Sequence, residues 1–154
     1  MTMVRTLLRR AVRRADRGQA IAELALIAPL LILLVIGLIE VGRFAELSIL
    51  VGNASRAGVQ YGAQNLVTAL DNTGMQNAAT ADGQNVSGLT ATASHFCTCA
   101  DGSASTCLPT DCAASHRLVY VQVDVTGTFT SLVRFAHVSP SITIPGRAVL
   151  RVSQ

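Results

Sequence analysis

The chain has 154 residues, of which 50% are hydrophobic and 4% aromatic; Trp is absent, and the formal charge is +3. That length suits one modest domain plus an anchor, with a core built from Val, Leu, Ile and Ala. The charge is uneven: residues 1–18 carry six Arg and one Asp (+5), and the remainder six Arg and eight acids (−2), so the basic charge marks a terminal segment and excludes a nucleic-acid surface.

Residues 1–18 read as a basic cytoplasmic leader, with Arg5, Arg9, Arg10, Arg13, Arg14 and Arg17. A run of 16 uncharged residues, Leu24 to Ile39, follows. A helix from Ala20 to Gly42, at about 1.5 Å per residue, covers roughly the 30 Å hydrocarbon thickness of a bilayer. Residues 19–42 are therefore expected to be a transmembrane helix. The positive-inside bias puts the leader in the cytoplasm and the rest outside it. A cleaved secretory signal is the weaker reading, because the run is long and no clear A-x-A site follows it. Glu23 is a lone carboxylate just inside the apolar segment, where an acid is costly and calls for a role. Pro29 removes one backbone donor; it is either a tolerated kink or a bend used when subunits leave the bilayer.

Gly18 followed by Gln19 and, five residues after the glycine, by Glu23 resembles the processing site of type IV pilin-like proteins. The resemblance implies cleavage between Gly18 and Gln19 by a membrane-embedded prepilin peptidase. It also implies a new amine at Gln19, which Glu23, one helical turn on, could neutralise in the same or an adjacent subunit. The plainer role for Glu23 is to sit at headgroup level and favour the positive end of the helix.

Residues 43–70 are expected to extend the helix. Phe44, Leu47, Leu50, Val51, Ala54, Ala57, Gly58 and Tyr61 recur at spacings of three and four. Ala54, Gly58 and Gly62 form a small-residue ladder that admits a closely packed partner, either the protein's own sheet or a helix of another subunit. The E-x-A-L-x-x-P opening (Glu23 to Pro29), the Glu40-Val41-Gly42-Arg43 exit and the Asn-Ala-x-Arg-x-Gly stretch (Asn53 to Gly58) together resemble the TadE-like proteins of the tight-adherence pilus machinery. Related pilins often carry an aromatic residue after the glutamate, where this chain has Leu24.

Residues 71–154 are expected to form an extracytoplasmic α+β domain. Asp71 to Ser94, rich in Asn, Thr, Ala, Gly and Gln, reads as a loop with room for a short helix or edge strand. Asn53-Ala54-Ser55 and Asn85-Val86-Ser87 fit a glycosylation sequon, read here as chance matches. Cys97, Cys99, Cys107 and Cys112 fall in a loop at 95–116. An even count outside the cytoplasm favours two disulfides over a zinc site flanked by His95 and His116, or over free thiols. C-x-C-x7-C-x4-C is not a usual finger spacing. A Cys97–Cys99 bridge is too strained, which leaves two ways of joining Cys97 and Cys99 to Cys107 and Cys112. Residues 117–153 are expected to be strands. Val119, Val121, Val123 and Val125 alternate with polar residues and face inward, with a bulge near Gly127 and an edge or bulge at Pro145-Gly146. The order of these last segments also looks like the close of TadE-like domains.

The fold class expected is thus α+β: a long N-terminal transmembrane helix extending into a small antiparallel sheet with a disulfide-stapled loop. His95, His116 and His137 lie in no motif, and no phosphate loop, HExxH or GxSxG occurs, so no catalytic residue, cofactor or metal is expected. The resemblance implies a minor pseudopilin or membrane component for assembly of a tight-adherence pilus or related secretion apparatus. The implied location is the bacterial inner membrane, single-pass. The implied partners are pilin or pseudopilin subunits, pilus assembly proteins and a prepilin peptidase; nucleic acid is not among them. The alternative is a standalone membrane-anchored extracytoplasmic binding module.

Overall fold

The computed structural model describes residues 2–133 and 139–153, with side chains from residue 19 onward. It divides into two units, Met1–Gly42 and Arg43–Gln154.

Helix α1 runs Thr2–Gly62 and is unbroken through Pro29. Its apolar stretch lies in Gln19–Gly62, where a window with mean hydropathy 2.8 buries none of its surface in the protein. Ile21, Leu24, Leu26, Leu30, Leu34 and Leu38 are all more than half exposed. A helix apolar on every side is matched to a lipid environment and to a single-pass anchor.

In the second unit, α1 carries a stripe at helical spacing, Val51, Ala54, Ser55 and Val59, that is almost fully buried. α1 ends at Gly62, and the chain re-enters a helix at α2, Leu66–Leu70. The helix expected over 43–70 is therefore two helices. The break is set by Asn65, whose side chain accepts the Val67 and Thr68 amides while the Thr68 hydroxyl accepts from the Asn65 amide. That reciprocal cap starts a new helix. α3, Asn72–Asp82, follows at once, capped by Asp71 through the Gly74 amide. Much of the expected loop at 71–94 is thus helical. Its Ala-rich composition suits a helix, and the buried residues of α3 are only Met75 and Ala79, too sparse a pattern to register as a helical face.

The sheet has the order β2-β1-β3-β4, antiparallel at every step. β1 is Thr90–Cys99, β2 Ala104–Ser105, β3 Arg117–Thr130 and β4 Ser141–Arg151. Cys97 and Cys99 therefore sit on a strand, not in a loop. In β3, Val119, Val121, Val123, Val125 and Phe129 are buried, as the alternation requires. Burying a Val side chain contributes about 1.5–3 kcal/mol, so this row, packed on Val51, Ala54, Met75 and Ala79, is the centre of the core.

No bulge interrupts β3 at Gly127, because its pairing with β4 runs in constant register through Gly127 and Ile144. Gly127 and Gly146 are there for another reason. A Cβ on either would come within 2.8 Å of the Val51 side chain, so both glycines let α1 cross close over the sheet. β4 is an edge strand. The Val152 amide donates to the Val119 carbonyl, so even-numbered residues of β4 bond inward and odd-numbered ones face the free edge. Pro145 is odd-numbered, and its missing donor costs nothing there.

Candidate functional site

Three groups of residues were singled out by the sequence. In the first unit, Gly18, Gln19 and Glu23 all lie on α1. The Gln19 amide donates to the Glu23 carboxylate at 3.2 Å, so the two side chains one turn apart do meet. The side chains of the basic leader lie outside the described residues.

The second group, Ala54, Gly58 and Gly62, faces the chain's own domain. Ala54 has no exposed surface. A Cβ on Gly58 would lie 2.9 Å from the Met75 carbonyl oxygen and 3.0 Å from Val123, and one on Gly62 would overlap Met75 and approach Val121 at 3.2 Å. The ladder therefore admits α3 and β3 of the same molecule.

The third group is the cysteines. Cys97 is bridged to Cys107 and Cys99 to Cys112, with Cα separations of 5.1 and 5.5 Å. The bridges interleave and pin one loop to the end of β1 at two adjacent inward-facing positions. Asp111, which the sequence reading passed over, organises that loop. Its Oδ2 accepts the Thr106 hydroxyl (2.8 Å), the Thr106 amide (2.6 Å), the Ser105 hydroxyl (3.0 Å) and the Leu108 amide (3.2 Å). These bonds, led by that from the Thr106 hydroxyl, hold its pKa below the usual carboxylate range. Cys107 has φ 71°, a left-handed conformation that the Ser105 hydroxyl supports by accepting its amide. The Arg117 guanidinium caps the Cys107 carbonyl. The sequence signal for Asp111 was an acid inside the cysteine cluster, which composition alone could not separate from a solvated charge.

Two clefts open on this domain. One, about 330 Å³, is bounded by Arg43, Glu46, Leu47, Asn85, Thr128 and Phe129. The other, about 230 Å³, lies between α2 and the inner face of the sheet, against Leu66, Leu70, the Cys97–Cys107 bridge, His95 and Arg117. His95 sits on β1 with Nδ1 buried, not in a polar loop, and His137 lies outside the described residues. On the outer face, Asp124 pairs with Arg147 and accepts from Gln122 at 2.6 Å, which lowers its pKa, the Arg147 bond most of all. Among the described residues, no three His, Cys, Asp or Glu side chains converge on a common point.

These features define a class: a small α+β domain, closed by two disulfides, on a single apolar N-terminal helix. Residues 18–60 of that helix match the family model of the TadE-like proteins. The matched stretch begins at Gly18, includes Glu23 and the Glu40–Arg43 exit, and ends just after the Asn53–Gly58 motif; the sheet lies beyond it. No curated protein and no solved structure matches the chain.

Proposed function

We propose that the protein is a TadE-like minor pseudopilin or membrane component that takes part in assembling a tight-adherence pilus or related secretion apparatus. The observation that carries this reading is the coincidence of the family match with the glycine–glutamate pair at the head of the apolar helix. In this reading the basic leader keeps Gly18 at the cytoplasmic surface of the inner membrane, where a prepilin peptidase cuts before Gln19. The disulfide-closed domain projects to the oxidising side. The new Gln19 amine and the Glu23 carboxylate are within one turn, and pairing them offsets the large cost of burying either charge in lipid. Function is then mechanical: the helix anchors and packs, and the domain presents a stapled surface to other subunits.

The test is to delete the gene in its host and complement with wild-type or Glu23→Ala. Wild-type should restore surface pili, and Glu23→Ala should be made and processed but assemble poorly. Full piliation in the deletion strain would overturn the assembly role.

A further inference from the structure

The end of the second unit at which Arg43 enters carries an aromatic cluster beside the larger cleft. Phe44 stands edge-on to Phe129 with ring centroids 5.6 Å apart, and the Arg43 guanidinium lies 5.5 Å from the centre of the Phe129 ring. Arg43 also donates to the Thr130 carbonyl at 3.4 Å, which fixes it against the last residue of β3. Phe129 is paired with Ile142, the second residue of β4. Around this small cluster three large apolar side chains face outward: Phe44 is 43% exposed, Ile142 50% and Leu132 66%. Thr130, Ser131, Ser139 and Ser141 neighbour Leu132 and Ile142 along the chain. An arginine beside aromatic and aliphatic side chains, with small polar residues next to them in the chain, has the composition of a surface that sits at the boundary between hydrocarbon and water.

We infer that this tip rests in the headgroup layer of the phospholipid bilayer. Phe44, Leu132 and Ile142 would dip toward the acyl chains, with the Arg43 guanidinium at the level of the lipid phosphates. The occupant is decided by the chain itself. Arg43 lies four residues beyond Ile39, the end of the uncharged run, so in any bilayer which that run spans, Arg43 and Phe44 lie near the boundary. Ile142 is held beside them by the Phe44–Phe129 contact and its own pairing with Phe129, and Leu132 directly follows Ser131, whose amide donates to the Pro140 carbonyl. The opposite end of the domain, where Leu108 is 57% exposed, stands at the far ends of β1 and β3 and faces water or protein partners. The inference rests on the membrane-anchor reading but not on a role in pili.

The chain lacks Trp, so a single introduced indole reports its own surroundings. Leu132→Trp, Ile142→Trp and Leu108→Trp would each be made in the full chain. Each would be placed in nanodiscs of phosphatidylethanolamine and phosphatidylglycerol, with acyl chains brominated near the headgroup. The two tip variants should lose most of their emission relative to unbrominated discs, and Leu108→Trp should lose none. Tip indoles that stay unquenched in chain shown to be incorporated overturn the inference, whether their emission reports water or burial against another protein. A chain that fails to enter discs and fails to float with liposomes overturns the anchor reading itself, and this inference with it.

Discussion

Gly52 and Gly58 both lie on α1, yet an added Cβ would meet nothing within 4 Å at the first and the Met75 carbonyl oxygen at 2.9 Å at the second. The same substitution should therefore have opposite signs. Gly52→Ala should stabilise by about 1 kcal/mol through helix propensity alone. Gly58→Ala gains the same term but must push against backbone, at roughly 1–3 kcal/mol for overpacking, and should be net destabilising by about 1 kcal/mol. Thermal melts of the full chain in one detergent would compare the two; a stabilising Gly58→Ala would mean that α3 can retreat. Four carboxylates set the response to acid. Asp71 is lowered by the Gly74 amide and then the Tyr61 hydroxyl, Asp101 by the Ser103 hydroxyl and then its amide, Asp111 by Thr106, and Asp124 by Arg147 and then Gln122. Each folded pKa lies below the unfolded value of about 3.9, so the stability they add is complete above it and is lost as pH falls through the folded values. The melting temperature should be flat from neutrality down to about pH 5 and fall below about pH 4. Asp111→Asn should flatten that fall, and an unchanged acid slope in that variant would remove Asp111 from the account.

At the scale of elements, the interleaved bridges tie Cys97 to Cys107 and Cys99 to Cys112 across separations of 10 and 13 residues. Partial reduction followed by stepwise alkylation and mass spectrometry should recover that connectivity, and Cys97–Cys112 with Cys99–Cys107 would contradict it. Removing one bridge with Cys99→Ser and Cys112→Ser should cost about 2–4 kcal/mol, mainly by freeing the unfolded chain. The two-residue strand β2 and the hydrogen bonds of Asp111 depend on the same loop, so their amide protection should fall in that variant ahead of β3.

At the scale of the whole molecule, two expectations follow from the anchor. After reduction, a thiol reagent that cannot cross the inner membrane should label the cysteines in cells whose inner membrane is sealed; labelling confined to the cytoplasmic side would reverse the topology. N-terminal sequencing of the mature protein from a host with an active prepilin peptidase should begin at Gln19, and Gly18→Ala should leave the leader attached. A wild-type chain that keeps its leader there would end the processing proposal.

What could be read from residues alone was whatever local pattern dictates. The apolar run at 24–39 gives a helix long and apolar enough to cross a membrane. The alternation Val119 to Val125 has one strand face that can be buried, and it is buried. Tertiary structure decided the rest, because each remaining choice depended on a distant neighbour. Gly127 and Gly146 look like bulges until Val51 is seen above them. The ladder at Ala54, Gly58 and Gly62 fits any close partner until α3 and β3 fill it. Asp71 caps α3 through Gly74, and only the fold brings the Tyr61 hydroxyl to donate to the same carboxylate at 2.8 Å. Cysteine spacing left two pairings open, and the folded loop joins Cys97 to Cys107 and Cys99 to Cys112. Periodicity is written along the chain, whereas close approach and pairing are properties of what the fold brings together.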